Sequence, residues 1–314
     1  MSGKIGKIGI VFAAAAAIAA LGTLSGTSRA ESVVVDIGSA TFGTSSTDTR
    51  TPGDYTAWWN PSNAATSAQV VNYGASQALK VWNNGSGNDG TIDNVLSPEL
   101  NALAGQTGAS AQPGATQNAF TSVYDFTTVS SSAVDNFNFI SSAEGSDRTT
   151  WLGFTSDSNG VLSAGTYDAY NPGPVGGTTS WNYHQIGTGL AWGDTYQVTT
   201  TILFGSGANS DQVTTRIYNE TTSTLVGTNV GTTWADYFLY DSEQTPNGNV
   251  MPGVNSMMFE MRHSPAGPQN GAYVTNLSYS SFSTPIPASG LLAGVGALTL
   301  IGGLALRRRM AAKL

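Results

Sequence analysis

Asp236, Asp241 and Glu243 stand within the stretch WADYFLYDSEQ, and two carboxylates across a scissile bond are what glycoside hydrolysis needs. Asp241 and Glu243 are two positions apart, so on an extended strand they face the same way. No third carboxylate alternates with these two. Glu260 stands on a run with Ser256, Met258 and Arg262, where an ion pair with a neighbouring base is its simplest role. A solvated loop, or the polar face beside a ligand groove, suits Asp241 and Glu243 better than catalysis, and no catalytic residue is assigned.

Other chemistries have less to work with. The nucleophile elbow G-x-S-x-G is missing, and the two histidines, His184 and His263, are far apart in sequence. Lys80 follows no phosphate-cradling glycines. The run from Asn83 to Gly90 (NNGSGNDG), with Asp93 beyond it, offers oxygen ligands on a glycine-rich loop; Asn88, Asp89 and Asp93 are its candidate calcium ligands. A turn built from αL-tolerant Asn and Gly explains the same residues without a metal. Aromatic residues are the stronger signal. Seven Trp and twelve Tyr in a chain with 10% charged residues leave some rings at the surface, where a ring face stacks on the apolar side of a sugar while Asp and Asn bond its hydroxyls. The candidates are Trp58-Trp59, Trp181 with Tyr183, and Trp234 with Tyr237 and Tyr240. Trp234, Tyr237, Asp241 and Glu243 together form the predicted ligand-binding group.

The elements that position these residues read as strands. Thr195 to Phe204 places Tyr196, Val198, Thr200, Ile202 and Phe204 on one face, and after a glycine-rich turn Asp211 to Tyr218 returns with Val213, Thr215 and Ile217 inward, a hairpin by pattern. Met257, Phe259 and Met261 mark a half-buried strand, and Tyr273, Thr275, Leu277 and Tyr279 share one face of a last one. Val33–Ile37, Leu79–Trp82, Phe120–Phe126, Val134–Ile140 and Thr149–Phe154 add five more. One short helix is expected from Ser97, with Pro98 at its first turn. Some nine to twelve strands in one compositional block, 31–283, predict an all-β antiparallel sandwich of the jelly-roll kind. The block is long enough to bury a sizeable core without disulfides, and the chain has no cysteine.

Charge separates this block from the two ends. All 20 acidic residues lie between Glu31 and Glu260, against five basic ones, Arg50, Lys80, Arg148, Arg216 and Arg262, so the block carries a formal −15. That excludes a nucleic-acid partner, which requires a clustered basic face. Residues 1–30 place Lys4 and Lys7 before the apolar run Ile8–Leu21 and end on Ser28-Arg29-Ala30, the order of a secretory signal peptide cleaved by signal peptidase after Ala30. Residues 284–314 hold 21 uncharged residues from Ile286 to Leu306, enough for a transmembrane helix, followed by Arg307, Arg308 and Arg309, which stay cytoplasmic. The block between them is then exported and membrane-anchored at its C-terminus.

The tail resembles a PEP-CTERM sorting signal in its VPLPA-like variant, carried by Pro285, Ile286, Pro287 and Ala288 in PIPASGLL, the Gly-rich span and the terminal RRR. Thr284 stands where that motif has Val. The resemblance implies an exosortase-type processing enzyme as partner and delivery to the cell surface or extracellular matrix; an ordinary anchor gives the same orientation. In the central block, the landmarks LKVWNNGSGNDGTIDN, FTSVYDFTTV, VDNFNFIS, TTWADYFLYDSEQ, NSMMFEMRHS and GAYVTNLSYSS resemble, in their order, the concanavalin A-like lectin/glucanase superfamily. That implies a sandwich with a lectin-like carbohydrate site and often calcium. Three functions stay open: a surface protein that binds extracellular polysaccharide, a glycoside hydrolase or lyase acting on it, and a purely structural matrix component.

Overall fold

The computed structural model describes residues 31–39, 42–43, 58–59, 66–85, 94–100, 108–110, 115–144, 148–170, 179–205, 211–240 and 253–284. Contacts divide the chain into one unit ending at Ser283 and a second beginning at Thr284; all the strands belong to the first. The predicted cleavage site at Ala30, the motif Pro285–Ala288, the span about 286–306 and Arg307–Arg309 lie outside the described residues, among which no helix is long and apolar enough to cross a membrane.

In chain order the strands are β1 (Glu31–Val34), β2 (Phe42–Gly43), β3 (Trp58–Trp59), β4 (Thr66–Tyr73), β5 (Ser76–Asn83), β6 (Asn94–Leu96), β7 (Ala109–Ser110), β8 (Ala119–Thr128) and β9 (Asn138–Glu144). They continue as β10 (Leu152–Ser156), β11 (Leu162–Tyr170), β12 (Ser180–Leu190), β13 (Thr195–Leu203), β14 (Gln212–Asn219), β15 (Thr224–Gly231), β16 (Gly253–Val254), β17 (Ser256–Met261) and β18 (Ala272–Phe282); the longest helix among the described residues is α1 (Ala235–Tyr240). One sheet has the order β15-β14-β13-β8-β18-β5-β4, with β1 also on β18, and the other β12-β11-β10-β9-β17-β6-β3-β2. Pairing is antiparallel apart from the short β2–β3 contact, so the expected antiparallel β-sandwich is what forms. Strands exceed the predicted number partly because β2, β3, β7 and β16 are only two residues long and partly because β12 and β15 hide their period: both are edge strands, exposed along much of their length.

Alternation places the core. In β13, Tyr196, Val198, Thr200 and Ile202 are buried and their neighbours half-buried, and its register with β14 makes the predicted hairpin. Phe126 from the first sheet stacks on Phe154 of the second at 4.0 Å and meets Phe139 at 4.8 Å. Tyr124 crosses the same interior to hydrogen-bond the Ser141 hydroxyl at 2.6 Å, and burial pushes its phenol well above the ordinary range.

Two expectations are corrected. β17 is buried on both faces, because its outward Glu260 is covered by Arg148 and Arg262. β18 is broken by a bulge between Thr275 and Ser278, where Asn276 takes φ 54° and donates its amide to Asp125 Oδ2. Leu277 and Tyr279 are thereby buried while Tyr273 and Thr275, before the bulge, are only half-buried. The residues after Trp234 form α1, and Asp241 and Glu243, the pair suggested to face one way on an extended strand, lie beyond it, outside the described residues. Of the short helix expected from Ser97, Leu100 alone is helical among the described residues, and 101–107 lie outside them.

Candidate functional site

The outward face of the second sheet carries the aromatic residues. Register aligns them: Met258 faces Ser142, Tyr167 faces Tyr183, and Trp151, one residue before β10, accepts the Tyr167 N–H at its carbonyl. Trp151, Tyr167 and Tyr183 therefore form one row across three strands, with ring centroids 5.9 and 5.0 Å apart. Ala169 pairs with Trp181 one step further along. On the other side of the row the same register aligns Ile140, Gly153, Gly165 and Gln185, and beyond them Asn138, Thr155, Ser163 and Thr188. Side chains at alternate positions of a strand share a face, so a strip floored by two glycines runs between an aromatic row and a hydroxyl-rich one, in which Ser163 Oγ and Thr188 Oγ1 stand 2.9 Å apart.

The two glycines do different work. A Cβ on Gly165 would stand 2.5 Å from the Tyr183 ring, which lies in the space the missing side chain leaves, whereas a Cβ on Gly153 would meet nothing closer than 3.4 Å. Trp181, Tyr183 and Tyr167 keep 45%, 41% and 36% of their surface exposed. Trp234 is buried: it stacks on Trp151 at 5.3 Å, meets Trp181 edge-on at 4.6 Å and donates its indole N–H to the Tyr167 carbonyl at 3.0 Å. Tyr237, half-buried, packs on Trp181 at 5.2 Å. The predicted Trp234 and Tyr237 thus sit in the same cluster as Trp181 and Tyr183, while Asp241 and Glu243 lie outside the described residues.

Charge gathers around Trp151. The guanidinium carbons of Arg148 and Arg262 each lie 5.5 Å from its ring centre, an attraction that grows as the cation loses water. Glu260 links them, 3.2 Å from Arg148 Nη2 and 3.9 Å from Arg262 Nε, with 1% of its side chain exposed. This is the ion pair expected for Glu260, made with two bases.

Two carboxylates hold the strap that leads into Trp234. Asp211 accepts the Thr233 hydroxyl at 2.7 Å and the Gly205 N–H at 2.8 Å. Burial pushes its carboxyl up to about 6, with nearby Asp236 adding to the rise and the two hydrogen bonds opposing it. Asp168 lies 3.1 Å from His184 Nε2 and accepts from the Thr232 backbone; burial raises its carboxyl despite the histidine. A Cβ on Gly231 would collide with that carboxylate.

Asn88, Asp89 and Asp93 fall outside the described residues. The nearer end of that loop is tied down, with Asn83 accepting the Gly85 N–H at 2.8 Å and donating to the Ser264 carbonyl. Among the described residues no three His, Asp or Glu side chains gather as metal ligands. Sequence reasoning passed over Trp151, Tyr167, Arg148 and Arg262 as site residues. Tyr167 lies in a run, LSAGTYDAY, whose alternation of small residues is a strand signal on its own, but nothing local marks Trp151 as its neighbour.

No protein-family model matches the chain, and no curated protein does. Among solved structures it is similar to arcelin-5, a lectin-like defense protein from Phaseolus vulgaris, at 10% identity over 70% of this chain and 93% of that one, with a TM-score of 0.39. It is also similar to an alginate lyase from Alteromonas sp. 272, at 10% identity over 64% and 84% with a TM-score of 0.35. A third is the carbohydrate esterase vb_24B_21 of the Shiga toxin-encoding bacteriophage phi24B, at 11% over 72% and 90% with a TM-score of 0.39. Likeness at this level says nothing about activity.

Proposed function

We propose that this chain is an exported, non-catalytic carbohydrate-binding protein of a bacterial cell surface or extracellular matrix, and that the outward face of its second sheet holds the glycan. One observation carries the reading: Tyr167, Tyr183 and Trp181 are exposed together on one face. Exposed rings grouped in this way serve a flat, partly apolar ligand, and the hydroxyls of Thr155, Ser163 and Thr188 stand across the strip to bond its polar edge. Binding is favoured over hydrolysis because Glu260, one of the carboxylates of this face, is buried and held by Arg148. Export rests on the sequence of residues 1–30, and delivery through an exosortase-type enzyme on residues 284–314.

A glycan array probed with the full chain, with and without calcium, tests the reading. Binding should appear and fall at least tenfold in Trp181→Ala and Tyr183→Ala. An array silent under both conditions would leave a purely structural matrix role.

A further inference from the structure

We propose that the glycan bound on this face is acidic, and that Arg262 is the residue that takes its carboxylate. The inference rests on the carbohydrate reading above and adds the ligand's chemical class. Cations are scarce in the exported block, five against twenty acidic residues, yet two of the five converge on one tryptophan of the aromatic row.

The two arginines differ in what they have left to offer. Arg148 is committed to Glu260 at 3.2 Å. Arg262 reaches the same carboxylate only at 3.9 Å, beyond a hydrogen bond, and its side chain is 33% exposed. Among the described residues no hydrogen bond engages its guanidinium, a planar fork with five N–H donors whose geometry matches a carboxylate two bonds at a time. Its other contact is the face of Trp151, which fixes the guanidinium without consuming a donor. A cation held at the rim of a stacking platform with its donors unspent meets the acid group of a uronate as the sugar ring lies against the neighbouring aromatics.

The net charge of the block does not cancel this. Charges more than about 8 Å away are largely screened at physiological ionic strength, whereas a guanidinium in hydrogen-bond contact acts inside that distance. Long acidic polymers still feel the whole block, so short oligosaccharides isolate the local contact.

The test compares hexuronic acid oligosaccharides with the same oligosaccharides after carboxyl reduction, titrated against the full chain in detergent and read by tryptophan fluorescence. The acidic form should bind at least about tenfold more tightly. Arg262→Gln should remove the preference, Arg262→Lys should keep part of it, and Arg216→Gln, on the other sheet, should keep all of it. Near-UV circular dichroism of the tryptophan cluster checks that each variant is folded; if Arg262→Gln is not, the lysine variant decides. Equal affinity of the unaltered chain for both forms, or a preference undiminished in folded Arg262→Gln or, failing that, in Arg262→Lys, overturns the proposal and leaves the carbohydrate reading standing. If neither form binds but neutral glycans on the array do, the proposal again falls alone. If nothing binds, both fall together.

Discussion

Glu260 shows how much a single side chain can decide here. It lies on β17 with 1% of its side chain exposed, and its charge is tolerated because Arg148 sits 3.2 Å away. Removing one partner of a buried pair leaves the other uncompensated, at a cost of about 3–5 kcal/mol. Because Arg148 is itself partly exposed, Glu260→Gln should cost less than that range, about 2–3 kcal/mol by urea unfolding, and should also loosen the ring of Trp151 that both arginines flank. The two glycines of the strip make a paired prediction. Gly153→Ala should fold normally, since its Cβ finds room, whereas Gly165→Ala must displace the Tyr183 ring. Tyrosine fluorescence or a crystal structure of the two variants will show whether only the second moves Tyr183.

The strap from Gly231 to Trp234 and the helix α1 behind it depend on Asp211. Its folded-state carboxyl titrates at about 6, above the ordinary carboxylate value, so the folded chain holds a proton that the unfolded chain has already released. Both states are protonated below about pH 4, and the buried acid then costs nothing extra. As pH rises toward and through 6, stability is lost, by about 1–3 kcal/mol if the whole shift is expressed. Asp168, raised in the same direction by burial, adds to the same slope. Asp211→Asn should flatten the fall in melting temperature between pH 4 and 7. A slope unchanged in that variant would mean that another group sets it. In the core, Phe126 bridges the sheets through Phe154 and Phe139, and Phe126→Ala should cost about 3–5 kcal/mol by the same urea measurement.

For the whole molecule, the charge that matters under the proposed export is that of the block between the two ends. The full chain has a formal −8, but without residues 1–30 and with the Arg307–Arg309 end on the cytoplasmic side or removed, the block from Glu31 to Ser283 carries about −15. Such a surface favours solubility and repels long acidic polymers unless divalent cations bridge them. Mass spectrometry of the exported protein should find Glu31 as its first residue. A fusion bearing residues 280–314 should reach the surface only in cells with an exosortase; equal delivery without one would make the tail a plain anchor.

The sequence alone determined the fold class, because period-two alternation in stretches such as Thr195–Leu203 can be satisfied only by half-buried strands, and local composition records it directly. It also determined where charge lies along the chain. It did not reveal β12 and β15, whose exposed edges leave little alternation to read, nor the bulge at Asn276, where one extra residue turned Leu277 and Tyr279 inward. Trp234 was legible as a candidate, but as an exposed platform; tertiary packing on Trp151 made it the buried support of a face whose exposed rings are Tyr167, Trp181 and Tyr183. Only the tertiary structure brought Arg148, Trp151, Glu260 and Arg262 together. Register across three strands, β17, β9 and β10, sets that neighbourhood, and register is a property of pairing between distant segments.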